Sequence, residues 1–125
     1  MIFKNIYWPD SLLEKIQIEY DCAILIIWND VLQKRLTVRC TGLAGITNLC
    51  IWDDTIIMNA EVYPVTDFDT DFIHRLFKAY DKNYDYGGRT LSSGLLELRI
   101  ELINHISFSV YCLKIDVVED DTLLQ

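Results

Sequence analysis

The strongest constraint in this chain is a period of two in its apolar residues, repeated near both ends. Leu36, Val38 and Cys40 alternate with Arg35, Thr37 and Arg39, and Leu96, Leu98, Ile100 and Leu102 alternate with Glu97, Arg99 and Glu101. Successive side chains of an extended strand point to opposite faces, so this pattern describes strands with one face buried. Ile16, Ile18 and Tyr20 against Lys15, Gln17 and Glu19 repeat it over residues 13–20. Ile106, Phe108, Val110 and Cys112 form the inward set of a last strand that runs on through Lys114, Ile115 and Val117. Residues 22–28 read CAILIIW, continuously apolar and short, which fits a central strand covered on both faces or nearly so. Asn29-Asp30 and Asn104-His105 supply turn chemistry, and connections this short imply an antiparallel meander. Residues 46–58 are apolar but show neither period, which leaves them between a strand and a short helical turn.

One stretch changes period. Phe68, Phe72, Leu76 and Tyr80 recur every four residues, with Ile73 and Phe77 widening the stripe, which predicts a helix over about 67–82. Thr66 with Asp69 resembles a capping box, and Asp67, Asp69 and Asp71 at the start suit the helix dipole, as do Arg75, Lys78 and Lys82 at the end. The next segment, DKNYDYGGRTLSSG, is a long loop by composition. The expected fold is a single α+β domain over residues 1–125: an antiparallel sheet of five or six strands with one main helix packed on a face.

Formal net charge is −8. Eleven of the nineteen acidic residues lie between Trp52 and Asp85 or in the run Glu119 to Asp121, so the negative field has a focus. Such a field repels nucleic acid and anionic membranes and attracts basic partners. The longest apolar run is far short of the ~20 residues of a membrane helix. The opening MIFKNIYWPDSLLEK has a lone Lys4 and an early proline, unlike a secretory leader, and the expected location is the cytoplasm. Four cysteines without CxxC spacing read as buried thiols rather than a disulfide framework or zinc site.

No motif points to catalysis, a metal or a cofactor. Asp67, Asp69 and Asp71 lack the glycine and distal glutamate of a calcium loop. His74 and His105 have no metal-ligand spacing. Ser92-Ser93-Gly94 is no nucleophile elbow, and Gly87-Gly88 lacks the lysine of a phosphate loop. Acid beside aromatic suits a protein interface instead, because tyrosine and tryptophan bury area at little entropic cost. The candidate partner-binding residues are Tyr84, Asp85 and Tyr86 on the long loop, Asp67, Asp69 and Asp71 at the helix start, and Trp52, Asp53 and Asp54. Trp8 and Trp28 are assigned to the core.

The segment WPDSLLEKIQIEYDCAILIIW resembles the opening of a broad set of small bacterial proteins in which a (H/P)DS-x-(I/L) step leads into an alternating strand and then an apolar one. The following CTGLAGI resembles their strand followed by F-x-G-V. Many of these are immunity proteins of polymorphic or contact-dependent growth-inhibition toxin systems. The likeness covers about the first fifty residues, with Pro9 where histidine is common and Leu43 where valine is expected, and carries no functional residue across. It implies a cytosolic, non-catalytic α+β protein that binds and neutralises a cognate toxin domain. A nuclease is the toxin class whose cationic phosphate-binding surface an acidic partner fits. The alternatives are a regulatory or adaptor domain for another basic protein, and a small hydrolase or ligand-binding domain using Asp53 and Asp54.

Overall fold

The computed structural model describes residues 1–49, 55–65 and 94–119. Among them, one 3-10 turn at Phe3–Asn5 precedes eight strands: β1 (Leu12–Glu19), β2 (Cys22–Asn29), β3 (Lys34–Thr41), β4 (Gly45–Thr47), β5 (Thr55–Pro64), β6 (Leu96–Leu102), β7 (Ser107–Cys112) and β8 (Lys114–Glu119). They form one antiparallel sheet in the order β4-β7-β6-β5-β1-β2-β3-β8.

The two ends of that order are joined through the chain. β3 passes into β4 across residues 42–44, and β7 passes into β8 across Leu113. The same two segments therefore pair as β3 with β8 at one end and as β4 with β7 at the other. Leu113 N–H donates to Thr41 O at 3.0 Å and Ala44 N–H to Tyr111 O at 2.7 Å, which carries the pairing through the bend. Gly42 takes φ 70° at that corner, a left-handed backbone that glycine adopts without steric cost. The pairings close into a ring with one interior, as in a barrel.

The interior is filled by strand residues and Trp8. Leu25, Ile27, Val38, Leu98, Ile100, Phe108 and Val110 are buried in one continuous cluster. Along β2 the burial alternates without a break: Ala23, Leu25, Ile27 and Asn29 are inside, while Ile24, Ile26 and Trp28 are half-buried on the outside. Trp28 is thus an outer-face residue, with the Arg35 guanidinium 5.6 Å from its ring centroid. Arg35 is in turn paired with Glu14. Cys40 and Cys112 are buried and Cys22 is half-buried, all as free thiols; Cys50 lies outside the described residues.

Two strands carry bulges that reset which residues face inward. The register slips at Glu14 in β1 and at Met58 in β5. Each bulge inserts one residue, so the inward set changes parity. Leu13 and then Ile16 face the core in β1, as do Ile57 and then Ala60 and Val62 in β5. Ile18 and Tyr20, expected to share the inward face with Ile16, are instead 55% and 93% exposed. They lie at the end of β1 and in its turn to β2, beyond the reach of the core.

The α+β expectation is corrected. The described residues are mostly strand, they include no α-helix, and the sheet has eight strands rather than five or six. Two physical causes explain the undercount. The aperiodic stretch 46–58 contributes to β4 and to the front of β5. The last strand also breaks at Leu113, where the inward set slips from Phe108, Val110 and Cys112 to Ile115 and Val117. The helix expected over about 67–82 lies outside the described residues. Among the described residues, no helix is long and apolar enough to cross a membrane.

Candidate protein-interaction face

Tyr84, Asp85, Tyr86, Asp67, Asp69, Asp71, Trp52, Asp53 and Asp54 all lie outside the described residues. An acidic and aromatic surface is nevertheless built within the described ones, on the outer face of β5, β6 and β7. The alternation that sends Leu98, Ile100 and Val110 inward sends their neighbours outward. Register then aligns them in three rows: Tyr63–Glu97–Tyr111, Glu61–Arg99–Ser109 and Asn59–Glu101–Ser107. Three carboxylates and one guanidinium leave the face negative.

Its centre is held in place by charge-assisted hydrogen bonds. Arg99 donates to both Glu97 oxygens, Nε at 3.0 Å and Nη2 at 3.2 Å. Ser109 Oγ donates to Glu97 Oε2 at 2.6 Å. The Arg99 guanidinium also lies 4.7 Å from the Tyr63 ring centroid. Stacking of this kind fixes a planar cation and an aromatic ring in one geometry. The bond to Glu97 raises the Arg99 pKa above its ordinary value, so the cation persists at any physiological pH. Burial first, and the charge of Glu97 second, push the Tyr111 phenol up, so it remains a neutral hydroxyl. Asn59 Nδ2 donates to Glu61 Oε1 at 3.1 Å along the same strand. The Glu97 side chain is only 13% exposed and Ser109 is buried, so the acidic and aromatic groups accessible on this face are Tyr63 and Glu61, with Glu101 half-buried, held around a fixed centre, which reduces the ordering cost of binding.

Residues 66–93, which include Tyr84, Asp85 and Tyr86, connect β5 to β6 in the chain. Their flanking residues Val65 and Leu95 are joined by a Val65 N–H to Leu95 O bond of 2.9 Å, at the Tyr63–Glu97 end of the face. Glu61 and Tyr63 belong to the acid and aromatic run visible in the sequence, and Glu97, Arg99 and Glu101 to the outward set of a legible strand. Tyr111 had a signal too, since it alternates with Val110 and Cys112. What no pattern showed is that β5 and β7 flank β6 on one face.

A second feature lies beside β5. A cleft of about 730 Å³ separates Asn59–Val62 from the N-terminal segment, with Phe3, Ile6 and Trp8 on the far wall and Leu96 and Ile115 toward the interior. Trp8 is 3% exposed, stacks on Phe3 with centroids 4.6 Å apart, and donates from Nε1 to Phe3 O at 3.0 Å. The far wall is therefore rigid. Among the described residues, no group of three or more His, Cys, Asp or Glu is arranged to hold a metal ion, and His105 lies exposed in the β6–β7 turn. No family model, curated protein or solved structure matches the chain.

Proposed function

We propose that this chain is a cytoplasmic, non-catalytic immunity protein that binds and neutralises the toxin domain of a bacterial contact-dependent growth-inhibition system. The observation that supports it is the face where Glu61, Tyr63 and Glu101, with the half-buried Tyr111, surround the fixed Glu97–Arg99 pair on a strongly acidic molecule. A toxin that cleaves nucleic acid must expose cationic groups for the phosphate backbone. An acidic face attracts such a surface over a distance and speeds encounter, while its tyrosines supply the contacts that hold the complex. Inhibition by occupancy requires no chemistry from the inhibitor. The candidate residues Tyr84, Asp85 and Tyr86 lie in the chain between β5 and β6 and extend the same reading.

The test is co-expression with the toxin encoded immediately upstream. The expected result is co-purification and survival of cells that otherwise die. Survival without complex formation, or a complex that leaves the toxin active, rejects the proposal. Within a complex, Glu61→Lys combined with Glu101→Lys is expected to slow association roughly tenfold or more at low salt, as loss of electrostatic steering does. Stopped-flow rates that are unchanged, and equally sensitive to salt, would move the contact off this face. Tyr63→Ala is expected to raise the dissociation rate, at a cost of about 2 kcal/mol if the ring is an anchor. An adaptor for another basic protein is the competing reading, and it predicts a complex with no protection.

A further inference from the structure

Among the described residues, β5 is an edge strand along half its length, and the sequence explains why. β1 pairs with β5 only at Leu12–Ile56 and Leu13–Thr55. One step further, Ile57 N–H donates to Ser11 O at 2.8 Å and Ile57 O accepts from Asp10 N–H at 2.9 Å. The chain then leaves the strand. Asp10 takes φ 68°, Ser11 N–H turns back to Trp8 O at 3.1 Å, and Pro9 has no N–H to offer a ladder. The N-terminal segment departs from β5 at this point, and the cleft opens between them.

The backbone direction along that edge follows from register. Residues of an antiparallel strand alternate between bonding one neighbour and facing the other. Ile57 faces away from β6, the bulge at Met58 resets the count, and Val65 N–H bonds to Leu95 O. Asn59, Glu61 and Tyr63 therefore bond toward β6, paired with Glu101, Arg99 and Glu97. Ala60 and Val62 present their N–H and C=O groups to the cleft. Among the described residues nothing pairs with them there. Pro64 falls at the next outward position, where a missing N–H breaks no bond to β6 and where edge strands tolerate proline.

From this edge and its cleft we infer a β-augmentation site, occupied by an extended segment of a partner protein in which apolar and basic residues alternate. Only another strand supplies donors and acceptors at the spacing that Ala60 and Val62 require. Its inward side chains enter the cleft against Phe3, Leu96 and Ile115. Its outward side chains lie beside Glu61 and Asn59 on the sheet surface, where an opposite charge is favoured. The inference goes beyond the toxin reading and does not depend on it, since any partner with such a segment fits.

The probe is a synthetic peptide of about six residues, the length of an ordinary strand, alternating valine and lysine. In the free protein, nuclear magnetic resonance should show amide protons of Ala60 and Val62 exchanging at least tenfold faster than those of Asn59 and Glu61. Titration with the peptide should shift the Ala60 and Val62 amides and slow their exchange at least tenfold. Val62→Pro removes an outward N–H without breaking a bond to β6, and it should weaken peptide binding at least tenfold while the amide resonances beyond its immediate neighbours stay in place. Ile115→Trp, which fills the cleft without touching the edge, should do the same and serves if the proline variant does not fold. Three results overturn the inference: Ala60 and Val62 amides already protected in the monomeric free protein, peptide shifts confined to other strands, or binding untouched by both variants. Protection that appears with rising protein concentration alone, together with a doubled mass in sedimentation, assigns the edge to a second copy and also overturns it. Because the toxin takes no part, failure here leaves the immunity reading standing, and failure of toxin protection leaves this one standing.

Discussion

Asn29 has no exposed surface and closes the sequence's clearest strand with three hydrogen bonds. Its Nδ2 donates to Tyr7 O at 2.9 Å and Ser11 Oγ at 3.3 Å, and its Oδ1 accepts from Leu32 N–H at 2.9 Å. One side chain thus ties the N-terminal segment, the start of β1 and the turn after β2. Asn29→Ala strands buried partners and is expected to cost about 1–3 kcal/mol, read as a lowered midpoint in urea unfolding. The Cys40 thiol adds a pH dependence. Hydrogen bonding to Cys112 and then burial hold Cys40 protonated far above the ordinary thiol range. The unfolded chain releases that proton near pH 8.5, while the folded protein keeps it. Stability is therefore full below that pH and falls above it, by up to about 1.4 kcal/mol per pH unit. Urea unfolding from pH 7 to pH 10 should show a shallower alkaline loss in Cys40→Ala than in the natural sequence.

At the scale of the element, the bulges decide what alternation alone does not. With the same residues in regular alternation Ile16 would face outward, opposite to Leu13; the extra residue Glu14 is what lets both face the core. Deleting Glu14 leaves Leu13 and Ile16 two positions apart and both inward, so it removes the bulge without exposing either, and it also removes the carboxylate that pairs with Arg35. The deletion and Glu14→Gln are therefore expected to cost about the same, roughly 1 kcal/mol or less for a partly exposed pair, read in urea unfolding. A much larger loss for the deletion would show that the bulge itself, and not only the ion pair, is needed for β1 to pair with its neighbours. β3, β6 and the front of the last strand were legible because nothing interrupts their period, whereas β2 was legible as a strand but not in which residues face inward, because a continuous apolar run has no period. β1 was half legible: Ile16 is inward as its alternation implies, but the bulge also turns Leu13 inward, and Ile18 and Tyr20 pass beyond the core. The candidate site was legible as composition only. Its acids and tyrosines are visible in the sequence, while the rows that align Tyr63, Glu97 and Tyr111 exist only once three strands are in register.

At the scale of the molecule, ring closure joins residues far apart in the chain. Thr37 pairs with Val118 and Thr47 with Ser109, so neither end of the sheet forms without the other. Non-local pairing of this kind makes folding slow, on the order of milliseconds to seconds. It also makes the domain one cooperative unit. Val38→Ala in β3 and Leu98→Ala in β6 should each lower a single shared unfolding transition, with fluorescence and circular dichroism coincident. Two separated transitions would show that the halves of the ring fold independently. The charge of the molecule acts at this scale as well, through steering of a basic partner and not through the fold.

By itself the sequence determined that the chain is rich in strands, which residues of β3 and β6 face inward, and that the molecule is acidic. These are local properties: alternation follows from backbone geometry, and charge from composition. The tertiary structure decided the rest. It placed β3 against β8, set the bulges that bring Ile16 and Val62 inward, and left Tyr20 exposed. It also turned Pro9 and Asp10 away from β5 so that Ala60 and Val62 face an open cleft. Those outcomes depend on which faces find each other across long stretches of chain, and no local period encodes a partner.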